Sequence, residues 1–246
     1  HPKIHGAILG KRDIEGHRKS MQEHDIDPID LVVINLYPFE NTIARKDCLL
    51  ADAIENIDIG GPAMIRSAAK NFDDVAVVVD SKDYLVVLEE IEGCGGVITQ
   101  KTRIRLSRDA YAHTARYDSL ISRYLSAQLE DEEDFTPMFQ LPFEKIQTLR
   151  YGENPHQSAA FYRDPDATPL DIVSAKKIQG KELSFNNIID LEAAWQLAQD
   201  FETGSAAVIK HTNPSGVAVG ENQKEIFIKA RETDPVSAFG GIIGFN

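Results

Sequence analysis

Four clusters hold side chains whose types and spacing suit chemistry. In Lys210-His211-Thr212-Asn213-Pro214-Ser215-Gly216 an ammonium sits beside an imidazole. The apolar run 206–209 before it reads as a short buried strand, with a turn expected over Asn213-Pro214-Ser215-Gly216. The pair would then stand at the carboxyl end of a strand, the edge where open α/β sheets hold their binding crevices. A cation beside the ring disfavours imidazolium, and a neutral imidazole can accept a proton as a general base does. The same residues also fit a solvated strand-end charge and a histidine bonded to its own turn; spacing alone leaves both readings open.

The second cluster is Asp58-Ile59-Gly60-Gly61-Pro62, with Lys70 at the far end of the helix that Pro62 opens. Two glycines before a helix let backbone N–H groups approach an anion or a developing oxyanion. Ordinary capping, with Lys70 complementing the helix C-terminus, accounts for the same residues. The third is Asn35-Leu36-Tyr37-Pro38-Phe39, after a strand, where Tyr37 is either a hydrogen-bond donor to a substrate or a core aromatic. The fourth, Arg150-Tyr151-Gly152-Glu153-Asn154-Pro155-His156-Gln157, crowds polar specialists into eight residues and reads as a binding loop. Arg150 suits phosphate or carboxylate. No metal pattern is present: neither His1 and His5 nor His17 and His24 have zinc spacing with further ligands. His113 lies in a predicted helix and reads as a packed or surface residue.

The elements that must position these groups follow from periodicity. The runs 31–36 and 75–79 are continuous and apolar, as in strands buried on both faces. Helical spacing joins Leu50, Ala53, Ile54 and Ile57, then Met64, Ile65, Ala68, Ala69 and Phe72. Residues 99–125 form a long helical region with a break expected near Tyr117-Asp118. Alternating strands and helices predict a parallel α/β sheet for the first half. Beyond an acidic, proline-punctuated stretch, strands are expected at 159–162, 171–178 and 206–209. Between the last two lies an amphipathic helix with Ile188, Leu191, Trp195 and Ala198 on one face, and a further helix, 221–233, precedes a final strand. The boundaries are 1–128 for a first domain, 129–143 for an acidic linker and 144–246 for a second.

Composition narrows the function classes. The chain has 246 residues, 26 Lys+Arg against 39 Asp+Glu, and a formal net charge of -13, which argues against nucleic-acid or anionic-membrane partners. Its apolar runs are strand-length, short of a membrane span. Two cysteines, Cys48 and Cys94, are too few for a disulfide framework, so a reducing cytoplasm is the expected compartment. The chain opens on His1 without Met and stops on a strand-like run, and a fragment of a longer protein is expected.

Six segments together resemble one family: residues 1–9, 35–39, 58–71, 150–157, 210–216 and 234–241 match, in order, the bifunctional purine-biosynthesis proteins that combine AICAR formyltransferase with IMP cyclohydrolase. The resemblance implies a methylglyoxal-synthase-like parallel-sheet domain followed by one cytidine-deaminase-like formyltransferase lobe without zinc. It implies formyl transfer from 10-formyltetrahydrofolate to AICAR, then closure of formyl-AICAR to IMP with loss of water. For the cyclohydrolase it assigns Tyr37, Asp58 and Lys70, with Asn35 and the backbone at Ile59, Gly60 and Gly61. For the transferase it assigns His211 as base, Lys210 as its tuner, and Arg150, Tyr151, Asn187 and Asn213 as binding residues. Folate is thus a co-substrate, no metal is expected, and a homodimer is implied. The family's phosphate loop and a basic segment would precede His1, and its second lobe would follow Asn246. The 246-residue chain by itself is therefore expected to turn over little. The competing classes are a non-catalytic nucleotide-binding module and a subunit supplying half-sites to a partner.

Overall fold

The computed structural model describes residues 1–129, 138, 140–165 and 172–246. The chain divides into two compact units, His1–Gln140 and Leu141–Asn246, each with its own core. The acidic run Glu130-Asp131-Glu132-Glu133-Asp134 expected as the linker lies outside the described residues.

The first unit begins with α1 (Pro2–Leu9), whose first turn is closed by the His1 ring accepting from the Lys3 N–H. α2 (Glu15–Glu23) follows, then strand β1 (Leu31–Val33). Three helices come next: α3 (Phe39–Ile43), α4 (Leu50–Glu55) and α5 (Gly60–Lys70). Strand β2 (Ala76–Val78) pairs parallel with β1 in the register Leu31↔Ala76, Val32↔Val77, Val33↔Val78. α6 (Tyr84–Gly93) and α7 (Gln100–Ser126) complete the unit.

The parallel pairing follows from the helices between the strands, and β2 is buried on both faces as its sequence predicts. Val77 packs with Ile8, Val32, Ile65, Ala68 and Ala110 on one side, while Ala76 and Val78 meet Val87 and Leu106 on the other. Each such fully buried valine contributes about 1.5–3 kcal/mol against exposure. β1 departs from expectation. It is shorter than the apolar run, and Val33 is 48% exposed, because the layer that covers Ala76 and Val78 does not extend over Leu31 and Val33. α7 also departs: it is unbroken. Ala110, Thr114, Tyr117 and Leu120 recur at helical spacing and are all buried, so Tyr117 belongs to the packing stripe. The tyrosine meets Phe39 edge-on, ring centroids 6.2 Å apart.

The second unit opens with β3 (Glu144–Thr148) and β4 (Ala160–Arg163), an antiparallel pair. The strand expected over 171–178 is a single 3-10 turn at Ile172–Ser174, with Ile178 fully out in solvent; nothing pairs with it among the described residues. Then come α8 (Phe185–Gln199), β5 (Ser205–Lys210), β6 (Asn213–Val219), α9 (Gln223–Thr233), α10 (Pro235–Ala238) and β7 (Ile242–Phe245).

The sheet order is β6-β5-β7, antiparallel throughout. Ala206 and Val208 pack on Ile226 and Ala230 of α9. The alternate residues Ala207 and Ile209 are equally buried and turn to the face where α8 packs. Two glycines set how closely the layers approach. A Cβ on Gly216 would stand 1.9 Å from the Ala230 carbonyl oxygen, and one on Gly244 would stand 2.4 Å from that of Ala194. The latter explains why α8 buries the small Ala194 and Ala198 more deeply than Trp195.

Candidate active sites

In the first unit, both parallel strands end at a cleft of about 240 Å³. Asn35, Leu36 and Tyr37 enter it after β1, and Val79 after β2; α3 adds Glu40, and α7 adds His113, Arg116 and Tyr117. This is the position that doubly wound sheets give their ligands, outside the carboxyl ends of the strands.

Asp58 is clamped beside this cleft. One carboxylate oxygen accepts from the Gly61 N–H at 2.7 Å, the other from the Tyr37 N–H at 3.4 Å. The Asp58 N–H in turn donates to the Tyr117 hydroxyl at 2.8 Å, and that hydroxyl donates to the Asn56 carbonyl. The anion served by the Gly60-Gly61 helix start is thus the protein's own carboxylate. Gly61 is obligatory there: a Cβ would stand 2.6 Å from the Asp58 carboxylate and 2.7 Å from Leu36. Tyr37 projects outward, 57% exposed. Lys70 closes the opposite end of α5, about 15 Å along an eleven-residue helix, so the structure does not gather it with Ile59, Gly60 and Gly61.

Electrostatics in the cleft are set by α7. One Arg116 guanidinium nitrogen lies 2.9 Å from each Glu40 carboxylate oxygen. Burial, then the Arg116 charge, hold the His113 imidazole below its ordinary pKa, with Asp80 opposing. Burial raises the Tyr117 phenol, against the Asp58 N–H that lowers it. The sequence reads His113 as a packed or surface residue and does not single out Arg116 or Glu40; the structure places all three in the cleft lining. The available signal was the i, i+3 spacing of His113 and Arg116 on one helix face.

In the second unit, α8 organises the groups. Ser184 caps it in a reciprocal box: its hydroxyl accepts from the Asn187 N–H, and its own N–H donates to Asn187 Oδ1 at 3.1 Å. The backbone at Arg150 and Tyr151 is stitched to this end, Arg150 N–H to the Leu183 carbonyl and Phe185 N–H to the Tyr151 carbonyl. The Arg150 guanidinium lies over the Tyr151 ring, 4.8 Å from its centroid, and donates to its hydroxyl at 3.2 Å. A hydrogen bond from Ser184, then the one from Arg150, hold the Tyr151 phenol below its ordinary pKa. Arg150, Tyr151 and Asn187 are therefore brought together, with part of Asn187 used in the cap.

One turn further along α8, the Asp190 carboxylate accepts from the Thr212 N–H at 2.7 Å. That bond anchors the β5–β6 hairpin. Its register pairs Lys210 with Asn213, leaving His211 and Thr212 as a two-residue loop, at φ 52° and 60°. Positive φ at both central positions is the type I′ signature, normally met by Asn-Gly. The turn thus falls before the predicted one, and Asn213 to Gly216 belongs to β6. Pro214 is tolerated because β6 is an edge strand. His211 is exposed, while the Lys210 ammonium donates to the Phe239 carbonyl at 2.7 Å. Asn213 Nδ2 donates to the His211 carbonyl at 2.8 Å. Asp190 and Ser184 are the positioning residues that sequence reasoning missed.

A family model described as the AICARFT/IMPCHase bienzyme matches residues 68–246. The chain belongs to this family. A model for the MGS-like domain matches residues 3–63, so an MGS-like α/β domain with a parallel sheet precedes the bienzyme region, as the sequence motifs imply. The crystal structure of ForH aligns at 33% identity over 51% of this chain and 64% of its own length, with a TM-score of 0.47. The chain thus spans less than two thirds of that relative. Among the described residues, no group of three or more His, Cys, Asp or Glu is placed to hold a metal, and no helix is long and apolar enough to cross a membrane.

Proposed function

We infer that the two units serve successive steps of purine synthesis: formyl transfer from 10-formyltetrahydrofolate to AICAR in the second, and ring closure of formyl-AICAR to IMP in the first. The domain bounds that go with this reading are 1–128 and 144–246 around an acidic linker, the second being part of a cytidine-deaminase-like lobe of a homodimer. The observation that carries it is the convergence at α8, where Arg150, Tyr151 and Asn187 meet at the helix start and Asp190 holds the Lys210–Asn213 turn one helical turn away.

In the transfer, the AICAR amine attacks the formyl carbon and must lose a proton, while the folate nitrogen leaves and gains one. His211, exposed on its turn, takes the proton from the amine. Lys210 and Asn213 fix the turn through Phe239 and the His211 carbonyl. Arg150 keeps guanidinium N–H groups beyond the one on Tyr151 and grips the nucleotide phosphate. In the closure, the carboxamide nitrogen attacks the formyl carbon, and the resulting hydroxyl departs as water. Asn35 and Tyr37 bind along the cleft, and Asp58, itself held by the Gly61 N–H, accepts from the Tyr37 N–H and keeps Tyr37 in place.

Calorimetric titration tests this reading. AICAR is expected to bind, Arg150→Ala to weaken binding about tenfold or more, and His211→Ala to leave it nearly unchanged. Absence of AICAR binding, or indifference to Arg150→Ala, would overturn it.

A further inference from the structure

We propose that the His113 imidazole contacts the ligand of the first-unit cleft, its Nε2 meeting the polar edge of the bound base. This rests on the reading of that cleft as a site for formyl-AICAR and IMP. His113 lines the cleft together with Asn35, Tyr37 and Arg116. Its Nε2 is buried and has no hydrogen-bond partner among the described residues. Buried polar side-chain atoms in folded proteins are nearly always bonded, so the partner is expected to come from outside the chain.

The neighbours on α7 are already committed. Arg116 is held by both oxygens of Glu40, and the Tyr117 hydroxyl lies between the Asp58 N–H and the Asn56 carbonyl. Neither can turn to the ring without abandoning those bonds. Hypoxanthine and an imidazole carboxamide both present N–H and C=O groups side by side. A neutral imidazole answers either, through the tautomer whose Nε2 is the complement. The cleft lies at the ends of both strands, where a planar base would rest against a lining that includes Tyr37, on the loop after β1, and His113 of α7.

The test is an NMR titration of the whole chain with IMP, following the His113 ring nitrogens and the Tyr37 ring. Expected is a shift of His113 Nε2 that saturates with the Tyr37 signals. If Tyr37 responds and His113 does not, the inference is wrong and the cleft reading stands. If neither responds, the cleft reading fails and the inference falls with it. Variants give a second arm that does not depend on ring assignments. His113→Gln, which keeps a polar group, should hold IMP affinity within about threefold, whereas His113→Leu should lose about tenfold, with native Tyr37 signals reporting the fold. Equal affinity of His113→Leu and the unaltered chain would overturn the proposal.

Discussion

At the scale of single residues, two shifted groups report on how the sites are built. His113 titrates below 6.5, its ordinary value, because burial and the Arg116 charge penalise the imidazolium. Its native pKa is therefore lower than its unfolded one, and the unfolded chain binds the extra proton first as pH falls. Stability present above pH 6.5 is lost as pH drops from there through the native pKa. Urea unfolding at pH 7 and about pH 5 should show a smaller acid loss in His113→Gln than in the unaltered chain. Tyr151 makes the opposite case, since its phenolate is favoured by Ser184 first and Arg150 second. Ser184→Ala should raise that phenol's pKa towards 10.0 in an ultraviolet titration. It should also cost about 1 kcal/mol of stability, the usual worth of a serine N-cap.

At the scale of elements, the tight layer contacts make sharp demands. Gly216→Ala forces a methyl into the Ala230 carbonyl, where the backbone of α9 cannot give, and should destabilise by about 1–3 kcal/mol or more in chemical denaturation. Much of this level is legible in sequence. Val75 to Val79 reads as a buried strand, and Pro62 and Gly60-Gly61 mark the start of α5. The misreadings have physical causes. Asn213-Pro214-Ser215-Gly216 has turn chemistry, but pairing with β5 and the close seat on α9 draw it into an edge strand. The run 31–36 is apolar throughout, yet burial of β1 depends on how far the covering layer reaches, which periodicity does not encode. His113 and Asp190 gained their places only through partners distant in sequence: Asn35 and Tyr37 for one, Thr212 for the other.

At the scale of the whole molecule, two compact units with separate cores predict two unfolding transitions in calorimetry. Gly216→Ala should lower one melting temperature and leave the other in place. On the proposed reading, His211→Ala in the complete protein should disable formyl transfer and leave cyclohydrolase largely intact; a parallel loss of both would count against two sites. The MGS-like match and the bienzyme match follow each other along the chain, in the order that the sequence motifs imply.

The left-handed turn at His211 and Thr212 carries one more consequence. Glycine suits that geometry better than either residue, and Thr212, being β-branched, suits it least. On the proposed reading of His211 as the base, folding and chemistry select in opposite directions at that position of the two. A library randomised there and sorted only for heat resistance should enrich glycine at both, gaining about 1 kcal/mol per site. Its winners should be sturdier proteins that have discarded the imidazole. A library in the complete protein sorted for formyl transfer should keep histidine at 211 and accept the strain.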